Sequence, residues 1–184
     1  MIGFFWEFNN RDEKVFLSNF ETIQKGDLVL RCGRSIESYV VYNVDSNQDF
    51  SHIGIIAMEN GIPYVIHAVP EYDNFLKKEK LKDFLNPKNC SDFAIFRGQF
   101  SEDALVKVVD AAEIFYKNKY TFDNEYDLKT DTKLYCTELI VKAFKHADIH
   151  LNISPKEFDF IVGKHPIILP SEFTKPPFYK VEIH

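Results

Sequence analysis

The segment "SHIGIIAMENGIPYVIHAVP" (51–70) constrains this chain more than any other, because it dictates a hairpin and its register. Two runs rich in β-branched residues flank Asn60-Gly61, the pair favoured in two-residue type I′ turns, where both central residues need positive φ. With that turn Glu59 faces Ile62, and counting back along both strands places Gly54 opposite His67. Strand side chains alternate between faces and directly opposed residues share one. His52 and His67 therefore project from the same face as diagonal neighbours, roughly 7–8 Å apart at the backbone. The glycine opposite His67 is expected to leave space above the sheet. Two imidazoles on one face beside a glycine predict one wall of a site.

A second stretch, "LYCTELIVKAF" (134–144), offers a reactive group to face that wall. Cys136, Ile140, Ala143, Phe144 and Ala147 fall at i, i+4, i+7, i+8 and i+11, which predicts a helix whose buried face begins at Cys136. A free thiol with pKa about 8.5 is mostly protonated at neutral pH, and the positive end of a helix lowers that value. With a thiolate there, His52 would take the thiol proton and return it to the leaving group. His67 would fix the tautomer of His52, and the Cys136 N–H would donate to an oxyanion. Other readings of the same residues stand beside this one. A cysteine on a helix face is commonly a small buried hydrophobe, and a strand histidine is commonly a satisfied core or surface residue. Two histidines and one cysteine also match the ligand types of an open zinc site, although nothing in their spacing demands a metal.

The remaining chain reads as an α+β domain with a largely antiparallel sheet. "QKGDLVLRC" (24–32) predicts a turn and a buried strand around Leu28–Leu30, "DFAIFRG" (92–98) another, and "PIILPSEFTKPPFYKVEIH" (166–184) ends in one more. Helices are expected over 35–44 with Ser35 as cap, over 73–86, and over 101–119 with Ser101 as N-cap and Leu105, Val108, Val109, Ala112 and Phe115 buried. The chain reads as a single domain spanning 1–184, in which residues 1–20 are an aromatic-rich arm or an added helix that extends its N-terminus. Cys32 and Cys90 are read as structural, and His146, His150, His165 and His184 as solvent-facing.

Composition narrows the partners. A net charge of −6 argues against nucleic acid, whose phosphates need a basic face, and "LKKEKLK" (76–82) reads as a solvated surface. No apolar run approaches the roughly 18 residues of a transmembrane helix. The start "MIGFFWEFNNRDEK" lacks the basic n-region and apolar core of a leader, so a cytoplasmic location is expected as numbered, with the cell envelope or secretion open if a leader has been removed. Three widely spaced cysteines leave at least one thiol free in any pairing. Oligomeric state is not legible.

Taken in order, "GDLVLRCGRS", "SHIGII", "YVIHAVP", "YCTELIVKAF" and "LPSEF" resemble the circularly permuted, papain-like, NlpC-related proteins of the YiiX/YaeF type. The resemblance runs from about Lys25 to the tail, and its histidines precede its cysteine, the reverse of the papain order. It implies a permuted papain-like fold, with Cys136 as nucleophile, His52 as base and His67 in the place of the third polar residue, where YiiX-like relatives are expected to carry glutamate. It also implies a cofactor-independent amidase or peptidase acting on a small peptide-like, cell-wall-like substrate. Permuted relatives instead cleave or transfer lipid acyl groups through the same acyl-thioester, and a catalytically silent module that keeps the groove is a third reading. Tyr135 and the tyrosine-bearing loop before it are candidate groove residues, with a packing role for Tyr135 the alternative.

Overall fold

The two β-rich runs around Asn60-Gly61 form the expected hairpin, with φ of 50° at Asn60 and 77° at Gly61. Their pairing runs from Glu59↔Ile62 to Ile55↔Ile66, the register that the turn dictates. The computed structural model describes residues 20–33, 50–70, 74–160 and 163–183. The helix expected over 35–44 and nearly all of the 1–20 arm lie outside the described residues.

The strands in chain order are β1 (Leu28–Gly33), β2 (His52–Glu59), β3 (Ile62–His67), β4 (Lys77–Lys80), β5 (Cys90–Gly98), β6 (Lys156–Phe160), β7 (Gly163–Ile167) and β8 (Phe178–Val181). Six of them form one antiparallel sheet in the order β4-β3-β2-β1-β5-β8, and β6 pairs with β7 apart from it. The helices are α1 (Leu81–Phe84), α2 (Glu102–Lys117) and α3 (Cys136–His146). This is the α+β architecture the sequence predicts.

Strand alternation divides the sheet between two apolar layers. Leu28, Leu30, Ile53, Ile55 and Ile66 join the layer built with α2 and α3, whose Leu105, Val108, Val109, Ala112, Leu139, Ile140 and Phe144 are buried in it. Val29, Ile56, Val65 and Ile95 face the other way, onto Leu81, Phe84 and Leu85 at α1. An isolated 11-residue helix is marginal in water, so α3 depends on this packing. Each fully buried Leu, Ile or Phe contributes about 1.5–3 kcal/mol relative to exposure.

The Gly-Asp before β1 holds the sheet to its outer half. Asp27, fully buried, accepts from Arg97 Nε at 2.7 Å and Nη2 at 2.8 Å, a bidentate fork, and from the Gln24 N–H at 2.8 Å. Ser101 caps α2 as expected, its hydroxyl accepting from the Ala104 N–H at 3.3 Å.

Four expectations are corrected. The helix expected over 73–86 is instead the edge strand β4 followed by the single-turn α1, because β3 otherwise leaves its own edge unpaired and Lys77–Lys80 fills it. The buried face of α3 includes Thr137, Glu138 and Leu139, while Cys136 is only half-buried. The strand expected over 92–98 begins two residues earlier, so that Cys90 opens β5. The space expected over Gly54 is already filled: a Cβ there would stand 2.3 Å from Val65 Cγ1 and 3.2 Å from His67 Cβ, so the glycine is required by the close approach of β3.

Candidate active site

His52 and His67 come together through the hairpin register. Their rings lie on the α1 face of the sheet, with His52 Nε2 2.9 Å from His67 Nδ1. Phe84 closes this face, stacked on His52 at 5.6 Å between centroids and edge-on to His67 at 4.9 Å. Arg31, directly opposite His52 across β1–β2, lays its guanidinium 4.1 Å over the same phenyl ring and donates to the Phe84 carbonyl. On the far side of His67, Glu79 Oε1 lies 2.9 Å from Nε2, close but not aligned as a hydrogen bond.

Cys136 is the first residue of α3, and α3 packs against β2 from the opposite layer. The contact between them follows from where the β2–β3 ladder stops. The Ile56 N–H donates to the Asp27 carbonyl on the β1 side, so by antiparallel alternation the Ile53 N–H points towards β3. Pairing with β3 ends at Ile55↔Ile66, which releases that N–H. It is the strongest of three backbone N–H groups, with those of Thr137 and Cys136 itself, that favour a thiolate at Cys136. The sulfur is therefore held against the residue next to His52. Among the described residues no hydrogen bond joins it to either imidazole.

The N-terminus of α3 is fixed from three sides. Glu138 reaches back to accept from the Tyr135 N–H at 3.3 Å and pairs with Lys142 at 2.9 Å. Thr137 donates its hydroxyl proton to the Ile168 carbonyl at 2.8 Å, and the Ile168 N–H donates to the Tyr135 hydroxyl at 3.1 Å. Tyr135 is buried, its ring 5.3 Å from that of Tyr126. The segment leading into "LPSEF" thus straps the cysteine turn in place.

Burial dominates the site's electrostatics. It holds His52 well below the usual histidine range, helped by His67 and Arg31, and holds His67 down likewise, helped by Arg31 and Lys77. It pushes the Cys136 thiol up to about 11, outweighing the three N–H groups that favour the thiolate. The helix end alone predicts a lowered value, and this is a correction: removal from water outweighs the dipole at this position. Glu138 is likewise pushed up to about 7 by burial, against Lys142 and the Tyr135 N–H. The resting pair is a neutral thiol and a neutral imidazole.

A sequence model of the permuted papain-like amidase enzymes, YaeF/YiiX, C92 family, matches residues 22–165. The chain belongs to that family. The YiiX protein of Escherichia coli (strain K12) is 25% identical over 126 residues, which make up 67% of this chain and 58% of that protein. The chain therefore matches less than two thirds of that relative's length. The crystal structure of the metalloprotein yiiX from Escherichia coli O157:H7 shares the fold, with a TM-score of 0.69 at 19% identity over 88% of this chain and 97% of that one. The permuted papain-like fold that the resemblance implies is thus the fold of this chain.

Arg31, Phe84 and Glu79 escape the sequence reading. Arg31 would be found by pairing β1 with β2 and asking what faces His52. Glu79 is hidden because "LKKEKLK" reads as a solvated surface. His146 and His150 are exposed, as expected. Cys32 and Cys90 are buried thiols that form no disulfide among the described residues.

Proposed function

We propose that this chain hydrolyses amide bonds in small peptide-like substrates through an acyl-thioester on Cys136, with His52 as base and His67 orienting it. The observation that carries this reading is the junction of α3 with β2, where Cys136 meets the backbone beside His52 while the His52 ring is hydrogen-bonded to His67. His52 Nδ1 takes the thiol proton as the sulfur attacks the carbonyl carbon, and the carbonyl oxygen becomes the oxyanion. The Cys136 N–H is the natural donor to that oxyanion. Collapse of the tetrahedral adduct breaks the C–N bond, His52 returns the proton to the leaving amine, and water then hydrolyses the thioester. Tyr135 we assign to packing, because its hydroxyl is engaged by Ile168.

Among the described residues no group of three or more His, Cys, Asp or Glu side chains is placed to hold an ion. The family does not fix the acyl group. No helix among the described residues is long and apolar enough to cross a membrane.

A substrate panel tests the reading: short peptide p-nitroanilides and dipeptide amides against fatty-acyl p-nitrophenyl esters and phospholipid vesicles, with wild type and Cys136→Ala. Amine release by wild type and its loss in the variant are expected. Turnover of the acyl lipids alone would establish lipid acyl chemistry instead, and absence of turnover on both arms would leave a binding module and overturn the proposal.

A further inference from the structure

We propose that Glu79 is a positioning residue that sets the tautomers of both histidines and so directs the basic nitrogen of His52 to Cys136. This rests on the reading of Cys136 and His52 given above. The sheet places Glu79 for the task. It pairs with Val65 across β3–β4, and directly opposed residues share a face, so Glu79 stands diagonally beside His67 on the imidazole side. Lys78, one residue away, points to the other face and pairs with Glu113 of α2. Among the described residues the charged and titratable groups around His67 are His52, Arg31 and Lys77 with Glu79, the carboxylate of that set.

Proton count decides how the two rings are arranged. A neutral imidazole has one donor and one acceptor nitrogen. His67 is buried, and its Nε2 has no aligned hydrogen-bond partner, with Glu79 Oε1 2.9 Å away. If His67 carried its proton on Nδ1, the Nε2 lone pair would face the carboxylate oxygen, two acceptors in repulsion. A proton on Nε2 faces Glu79 instead and leaves Nδ1 to accept from His52 Nε2–H at 2.9 Å. His52 is then unprotonated at Nδ1, the nitrogen its role as base requires. The opposite tautomer of His67 would put the His52 proton on Nδ1 and abolish the base. His67 alone, symmetric as donor or acceptor, does not choose between these two states. A carboxylate on the next strand does. It also supplies the negative charge that an imidazolium at His52 needs during attack, in surroundings otherwise set by Arg31 and Lys77.

The test combines kinetics with ring-nitrogen NMR on protein labelled with 15N-histidine. In wild type, His52 and His67 are both expected to be Nε2–H tautomers. Glu79→Ala is expected to shift His67 and His52 towards Nδ1–H and to lower kcat roughly tenfold to a hundredfold with KM little changed. Glu79→Gln, which keeps the shape but presents either an oxygen or an amide NH₂ to His67, is expected to fall between. A residue needed for folding alone would change neither tautomer, and the near-isosteric Gln variant remains readable if the alanine variant unfolds. Wild-type His67 protonated on Nδ1, or unchanged tautomers and kcat in both variants, overturns the role of Glu79. Because the NMR readout needs no turnover, it is decided independently of whether Cys136 proves catalytic.

Discussion

Replacing His52 with alanine is expected to lower kcat by roughly 10²- to 10⁴-fold at neutral pH with little change in KM. The size follows from the state of the nucleophile. With its thiol pushed up to about 11, Cys136 carries only about one thiolate in ten thousand molecules at pH 7. On the proposed mechanism attack then depends on proton removal in the same step, and His52, the base proposed for it, is the neighbour of the Ile53 N–H that meets the sulfur. Burial keeps His52 unprotonated well below the usual histidine range. Wild-type turnover should accordingly stay level from pH 7 to 9. Without His52 the residual rate should follow free thiolate and rise about tenfold per pH unit towards pH 11. Steady-state rates across that range separate the two behaviours, and a level profile in the variant would remove His52 from the mechanism.

The same buried imidazoles predict a loss of stability in mild acid. Both are held neutral in the folded protein, whereas in the unfolded chain they titrate near 6.5. As pH falls below about 6.5 the unfolded state binds protons that the folded state refuses, so each imidazole approaches a loss of about 1.4 kcal/mol per pH unit. Glu138 opposes this. Its folded value of about 7 lies above the unfolded 4.5, so between those values the folded state binds the extra proton and gains stability as pH falls. Two imidazoles against one carboxyl leave a net loss of about 1.4 kcal/mol per pH unit between pH 6 and 5. Urea midpoints at pH 7, 6 and 5 measure it. In a His52→Gln, His67→Gln double variant the Glu138 contribution stands alone and the sign of the slope should reverse.

How far the chain is legible follows the range of its interactions. The turn and register of the hairpin are readable, because Asn60-Gly61 fixes the pairings from Glu59↔Ile62 to Ile55↔Ile66, whereas the end of the ladder there is not. The caps and buried faces of α2 are likewise local, set by Ser101 and by spacing. The place of Cys136 at the start of α3 is legible for the same reason, but its half-buried position and raised thiol are not, because they depend on β2 and on the strap at Ile168. Glu79 lay in a run that reads as solvated lysines, and only the unpaired edge of β3 turns that run into a strand. The pairing of β6 with β7 is not legible, because no Asn-Gly or Asp-Gly pair separates the two segments in the sequence. Arg31 and Phe84 reach the imidazoles from 21 residues before His52 and 17 after His67, separations at which pattern gives no pairing.

The central claim is that Cys136 carries the acyl group between bond cleavage and hydrolysis. Acid-quenching the protein during turnover of its best peptide amide or thioester, followed by intact-mass measurement and peptide mapping, tests it most directly. The mechanism predicts a mass increase equal to the acyl group on the peptide containing Cys136, labile to hydroxylamine, diminished in His52→Ala and absent in Cys136→Ala. Turnover with no acyl group on Cys136, or turnover that survives Cys136→Ala, would contradict it.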